Sequence, residues 1–205
     1  LLGLAFSPVV TLIVLNVFLT IFYTGNFLFK ALLVWLGGAA QETSSRAIAA
    51  EASLLRDEDL PIYTVLVPMF REPEVLPILA QALRNLDYPL AKLDIKIVLE
   101  EGDHETIDAA RKLDLEGVFE IIRVPASHPQ TKPKACNFAL RYAQGDFLVI
   151  FDAEDKPEPD QLKKVIAAFN QSAPNTACIQ CRLNYYNARE NWLTRMFTLD
   201  YSLWF

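Results

Sequence analysis

Residues 147–155 read Phe-Leu-Val-Ile-Phe-Asp-Ala-Glu-Asp, an apolar run closed by acids. The run has the β-branched and aromatic content of a strand, and its length suits one. Comparable runs lie around it at Tyr63–Val67, Ile95–Leu99, Phe119–Val124 and Ala177–Leu183. Between them stand stretches of helical character: Glu74–Asn85, Glu105–Leu113, Lys134–Ala143 and Asp160–Asn170. Pro73, Thr106 and Pro159 sit near the expected helix starts, where a fixed φ or a short polar side chain is useful. Strands alternating with helices of about 10–15 residues predict βαβ crossovers and a mainly parallel, doubly wound α/β sheet.

In such a sheet ligands bind beyond the carboxyl ends of the strands, so the residues just after each run matter most. Pro68-Met69-Phe70-Arg71-Glu72 comes after the first and Glu100-Glu101-Gly102-Asp103 after the second. Pro125 and a loop with His128, Lys132 and Lys134 come after the third, Asp152-Ala153-Glu154-Asp155 after the fourth, and Cys181-Arg182 ends the fifth. The seven glycines form neither GxGxxG nor GxxxxGK, so a Rossmann dinucleotide site and a P-loop are excluded. A phosphorylated ligand on this rim must have its charge met by a metal and by side-chain cations. Asp152 and Glu154, two apart on an extended segment, point the same way and can reach one hard divalent cation such as Mg2+ or Mn2+. The same acids also read as a solvated turn ahead of Pro157-Glu158-Pro159. Lys132 and Lys134 flank a proline at a helix start, where they either face an anion or solvate the surface. Asp103 reads as a ligand contact or as a helix cap through Thr106. Phe70 reads as a stacking platform or as loop packing, and Glu72 as a ligand contact or a first-turn helix acid.

Composition narrows the classes further. The 205 residues carry a net charge of −6 and no basic block, which excludes nucleic acid as a partner on electrostatic grounds. Three cysteines cannot build a disulfide framework and suit a reducing compartment. Cys178 and Cys181, within the expected fifth strand, read as buried packing residues. His104 and His128 are too few for a zinc site, and no GxSxG elbow occurs. Of the 44 charged residues only Lys30 lies before residue 39. Val9–Phe29 is uncharged, long enough to cross a bilayer, and too long for the apolar core of a cleavable signal peptide. Lys30 and Trp35 stand where snorkelling amines and interfacial indoles belong. The expected organisation is a transmembrane and interfacial segment over 1–38, a juxtamembrane connector over 39–61 and a soluble domain over 62–205. Arg46 and Arg56 after the span favour the cytoplasmic side of a bacterial-type inner membrane for that domain. Leu1 at one end and Trp204-Phe205 at the other suggest a piece of a longer protein.

Four segments bear jointly on function: Val67-Pro68-Met69-Phe70-Arg71-Glu72, Asp103, Lys132-Pro133-Lys134-Ala135-Cys136-Asn137 and Phe151-Asp152-Ala153-Glu154-Asp155. They occur in the order seen in family 2 glycosyltransferases. From about residue 62 onward the chain resembles the nucleotide-binding part of the GT-A fold. It is similar to membrane-anchored members of the cellulose-synthase and exopolysaccharide-synthase type. The resemblance implies nucleoside contacts from Phe70 and Glu72, and a base or ribose contact from Asp103. Lys134 and Asn137 match the KAxN element near the donor, and Gln180 matches a polar residue beside the donor sugar. Asp152 and Glu154 match the DxD acids that hold Mg2+ or Mn2+ against the diphosphate, with Asp155 adjacent and sharing that task.

The departures from the family pattern are informative. Phe70 and Arg71 stand where the family has Tyr and Asn, which removes a hydroxyl contact, and Cys136 replaces a common Gly. The TED-type acid and the QxxRW element are expected downstream of Phe205, which leaves the general base unassigned and this length of chain inactive alone. The implied function is inverting transfer of a sugar from a nucleotide-diphosphate donor, a UDP-sugar foremost, to a polysaccharide or lipid-linked acceptor at the membrane. A non-catalytic, membrane-tethered nucleotide- or regulatory-ligand-binding domain of the same fold is the alternative. A haloacid-dehalogenase-like or receiver-like enzyme is disfavoured, because Tyr63–Glu72 contains no aspartate nucleophile.

Overall fold

The computed structural model describes residues 7–113, 115, 119–181 and 187–204. In chain order its elements are α1 (Pro8–Ala52), β1 (Tyr63–Met69), α2 (Leu76–Arg84), β2 (Leu93–Glu100), α3 (His104–Lys112), β3 (Glu120–Val124), α4 (Lys132–Ala139), β4 (Phe147–Ile150), α5 (Gln161–Asn170) and α6 (Trp192–Trp204). Packing divides the chain into two units: Ile48–Ile179, and Leu1–Ala47 with Gln180–Phe205.

Ile48–Ile179 holds a four-stranded sheet in the order β3-β2-β1-β4. All three pairings are parallel, with Tyr63 opposite both Leu93 and Phe147. Strand alternation divides its side chains between two faces. Tyr63, Val65, Val67 and Met69 join Ile95, Ile97 and Leu99 on one face, under Leu76, Leu79 and Leu83 of α2, Ile107 of α3 and Leu162 and Ile166 of α5. Leu66, Val98, Ile122 and Val124 point the other way and meet Ala135 and Ala139 of α4. Helices therefore cover both faces, and the two alanines let α4 lie close to the strands. The expected doubly wound parallel sheet is present.

The α4 face also carries charge into the interior. Lys96 is fully buried between Asp94 Oδ1 at 2.8 Å and Glu120 Oε2 at 2.5 Å. Asp94 Oδ2 accepts from Thr64 Oγ1 at 2.8 Å and from Gln144 N at 2.9 Å, while Thr64 Oγ1 accepts from Gly145 N at 2.9 Å. This network pins the loop before β4 to the amino ends of β1 and β2, as a buried charge requires partners. Burial alone would push the Asp94 carboxyl up, but hydrogen bonds from Lys96, Gln144 N and Thr64 outweigh it and hold it below the usual carboxylate range. Gly145 is the close approach: a Cβ there would lie 2.5 Å from Thr64 N and 2.8 Å from Ile62 O.

The expected fifth strand does not form where it is described. Residues 177–181 are irregular, while residues 182 and 183 lie outside the described residues. Cys178 and Cys181 are exposed, not buried, whereas Ile179 between them is half-buried against the core. The helix expected at 134–143 begins at Lys132 and tightens into a 3-10 turn at Leu140–Tyr142.

In the other unit, α1 is apolar all round rather than striped. Pro8–Leu33 has a mean hydropathy of 1.9 and none of its most apolar window is buried, so by length and composition it can cross a membrane. The helix passes through Gly37-Gly38 without a break and ends only at Ala52. Much of the expected connector is thus a continuation of the same helix. At the start of α6, Asn191 Oδ1 accepts from Thr194 N at 3.0 Å and Thr194 Oγ1 accepts from Asn191 N at 3.1 Å, a reciprocal cap.

Candidate functional site

The strand order fixes where a ligand fits. The chain winds outward through β1, β2 and β3, then returns to place β4 on the opposite side of β1. Loops after β1 and β4 therefore leave in different directions and open a crevice between them, the topological switch point of the sheet. A cavity of about 350 Å3 lies there, lined by Pro68 and Met69 at the end of β1 and Phe70 and Glu72 just after it, by Asp152, Ala153 and Glu154 beyond β4, by Gln130, Thr131, Lys132 and Ala135 around the start of α4, and by Glu100. That volume falls in the range of small-molecule sites, about 300–1,000 Å3.

The loop after β1 is held by a buried acid. Asp103 is 3% exposed. Its Oδ1 accepts from Thr106 N at 3.2 Å and caps α3, and its Oδ2 accepts from Arg71 N at 2.6 Å. Arg71 has φ 57°, a left-handed conformation uncommon for a residue with a side chain. The hydrogen bond to Asp103 holds that turn, and the turn presents Phe70 to the cavity. Phe70 is 45% exposed, with the Arg71 guanidinium 5.0 Å from its ring centroid. One face of a large aromatic ring is thus fixed at the cavity edge. Asp103 resolves as the cap, and its carboxylate positions the loop rather than lining the cavity.

Beyond β4 the acids separate into two roles. Asp152 and Glu154 are exposed on the cavity. Asp155 turns away: its Oδ2 accepts from Asp152 N at 2.8 Å, while Asp155 N donates to Asp152 O at 3.0 Å. Burial and the Glu154 charge push the Asp155 carboxyl up, against the opposing charge of Lys132. Asp155 therefore shapes the turn that aims its two neighbours. Lys132 forms an ion pair with Asp152 Oδ1 at the cavity wall.

The two lysines flanking Pro133 part company. Lys134 Nζ lies 3.2 Å from each carboxylate oxygen of buried Glu100, 3.3 Å from Pro125 O and 3.1 Å from Ser127 O. Four acceptors hold it against the sheet. With Asn137 it lines a second depression, shared with Val124, Pro125, Ser127, Phe138 and Arg141. The structure thus gathers Phe70, Glu72, Asp152 and Glu154 at one cavity and places Lys134 and Asn137 at another. Gln180 is exposed in an irregular stretch that opens the other unit. Gln130 and Thr131, which nothing in the sequence singles out, also line the cavity, together with Glu100 and Lys132, which the sequence places on the rim without a settled role. Glu100 carries a signal: it ends the second strand on the same side as Val98, facing the helix that carries Lys134.

A divalent cation fits this donor set in one way. Among the described residues no three Asp, Glu, His or Cys side chains gather closely enough to enclose an ion. Asp152 and Glu154 do offer two hard oxygen ligands on one cavity wall, and a lysine ammonium already pairs with one of them. Mg2+ characteristically takes one or two carboxylates and completes its shell with substrate phosphate and water.

Residues 64–205 match the family described as glycosyl transferase family 2. The chain belongs to glycosyltransferase family 2. Within that family it is similar to a beta-monoglucosyldiacylglycerol synthase of Trichormus variabilis, 28% identical over 149 residues that cover 71% of this chain and 31% of that protein. It is also similar to glucomannan 4-beta-mannosyltransferase 2 of Arabidopsis thaliana, 30% identical over 157 residues covering 72% of this chain and 29% of that one. The chain therefore spans less than a third of the length of these relatives. Among solved structures, the mannosyltransferase PcManGT from Pyrobaculum calidifontis, in complex with GDP-Man and Mn2+, matches with a TM-score of 0.50 at 24% identity. The match covers 77% of this chain and 49% of that one. It shows the GT-A fold, to which the parallel sheet of the family 2 domain here corresponds.

Proposed function

We propose that residues 62–205 form the donor-binding part of an inverting glycosyltransferase anchored in a membrane by α1, with residues 39–61 as its juxtamembrane connection. The donor is a nucleoside-diphosphate sugar and the acceptor a lipid or a polysaccharide. The observation that carries this reading is the crevice between β1 and β4, where an exposed aromatic face, two carboxylates and a lysine share one cavity. The names of the similar proteins support the substrate classes: one is a beta-monoglucosyldiacylglycerol synthase, one is a glucomannan mannosyltransferase, and one was solved with GDP-Man and Mn2+. UDP is the nucleotide we favour, with GDP as the comparison. The span Pro8–Leu33 supports a membrane location, since its apolar side chains are exposed on every side. The Arg46 and Arg56 bias favours the cytoplasmic face for the domain.

Phe70, Glu72, Glu100, Asp103, Lys134 and the Asp152–Asp155 turn each have a task in this scheme. Phe70 offers its ring to the base, where stacking needs no particular base identity. Asp103 holds the Arg71 turn that sets the angle of that ring. Asp152 and Glu154 would hold Mg2+ or Mn2+ at the diphosphate end, with the Asp155 turn keeping both aimed into the cavity. When bound there, the cation neutralises charge developing on the leaving diphosphate. Glu72 closes the nucleoside side of the cavity, and Lys134 with Glu100 braces the start of α4 from behind.

Calorimetric titration of the full chain in detergent micelles tests the reading. UDP and GDP are titrated with and without Mn2+, beside Asp152→Asn. Binding that requires Mn2+ and disappears in the variant is the expected result. A folded wild-type chain that binds neither nucleotide in the presence of Mn2+ overturns it.

A further inference from the structure

We propose that Lys132 is an exchangeable counter-ion of the donor site: its ammonium neutralises Asp152 in the free protein and passes to the donor diphosphate when a divalent cation takes that carboxylate. This role rests on the donor-site reading and belongs to a residue which that reading leaves without a task.

Two neighbouring lysines differ sharply in their freedom. Lys134 is tied by a buried carboxylate and two carbonyl oxygens, so it has nowhere to go. Lys132 instead stands on the cavity wall in a pair with Asp152, and the two side chains are 46% and 50% exposed. A half-exposed ion pair is worth a few-fold in affinity at most, so a cation of higher charge displaces it readily. Lysine is suited to the exchange, being a point charge with three donors on a flexible stem. Once a divalent ion sits on Asp152 and Glu154, two positive charges would crowd one carboxylate. The ammonium then gains by moving, and the anion next to it is the diphosphate. Charge balance points the same way. Asp152 and Glu154 cancel the divalent ion and Lys134 is taken up by Glu100, so neither cation is left for the diphosphate; Lys132 is the lysine that lines the same cavity, where Glu72 adds a further negative charge.

This arrangement makes a signature that a merely structural lysine does not produce. Removing the ammonium removes the competitor for Asp152 and at the same time removes a partner of the diphosphate, so the two affinities move in opposite directions. The test uses the full chain in detergent micelles, as wild type, Lys132→Met and Lys132→Arg, with a thermal melt to show that each is folded. Mn2+ binding without nucleotide is followed by the loss of the free-ion electron paramagnetic resonance signal. UDP and GDP are then titrated at saturating Mn2+ by calorimetry. In Lys132→Met, Mn2+ should bind roughly two- to fivefold more tightly, and the favoured nucleotide about tenfold or more weakly. Lys132→Arg should restore nucleotide binding towards wild type. Parallel weakening of both affinities, or no change in either, overturns the counter-ion role while wild-type binding leaves the donor site standing. A wild-type chain with no Mn2+-dependent nucleotide binding overturns both.

Discussion

Replacing Asp103 separates the two jobs of one buried carboxylate. Asp103→Ala deletes the cap on Thr106 N and the acceptor for Arg71 N. Loss of an N-cap costs about 0.5–2 kcal/mol, and loss of a hydrogen bond to a charged group about 1.5–3 kcal/mol. Relaxation of the left-handed Arg71 turn returns about 1–3 kcal/mol, so the net loss falls near 2 kcal/mol. Asp103→Asn behaves differently. Asparagine caps as well as aspartate, so Oδ1 can still serve Thr106 N, while its amide NH2 faces the Arg71 N–H as a second donor. The cap survives and the turn is lost. Urea unfolding of the full chain in micelles, followed by far-ultraviolet circular dichroism, should rank wild type above Asn and Asn above Ala. Both variants should lose nucleotide affinity together, because both free Phe70. An alanine variant within about 0.5 kcal/mol of wild type, or an asparagine variant that keeps full nucleotide affinity, would refute the clamp.

Other perturbations address the rest of the site and its support. Lys134→Met should destabilise the sheet unit by about 3–5 kcal/mol, since it strands the buried Glu100 carboxylate. Lys134→Met with Glu100→Gln should regain most of that loss in the same urea assay, as expected of a brace rather than a donor contact. Gly145→Ala should lower the urea midpoint severely, by more than about 2 kcal/mol, because the contacts its Cβ meets are backbone atoms of Thr64, Ile62 and Phe147. Asp94 is held below the usual carboxylate range in the folded state despite its burial. Its contribution is therefore present above the unfolded value, about pH 3.9, and is lost as pH falls through the lower folded value. Asp94→Asn should flatten that acid limb when unfolding is measured against pH.

Much of the sheet is legible in the sequence because strand signals are local. The runs around Val65, Ile97, Ile122 and Val149 are dense in β-branched residues, and each forms a strand within a few residues of its expected bounds. The run around Ile179 has the same local character yet is irregular over 177–181, because a strand also needs a neighbour that composition does not reveal. The site divides in the same manner. Asp152, Glu154, Phe70 and Glu72 are marked by their position after a strand, and the strand order brings them together. Lys132 and Lys134 look interchangeable in sequence. Only the packing of α4 on the sheet decides that Lys134 meets Glu100 and Lys132 meets Asp152. Asp155 groups with its neighbours in sequence because spacing cannot show that its carboxylate turns back to cap Asp152 N.

Hydrogen–deuterium exchange on the full chain in micelles, with UDP or GDP and with or without Mn2+, tests the central claim most directly. The crevice between β1 and β4 predicts slowed exchange confined to three segments, residues 68–72, 130–135 and 152–155, for one nucleotide and only with the metal present. Protection around Ser127, Asn137 and Arg141 instead, or protection of the crevice that needs no metal, would contradict it.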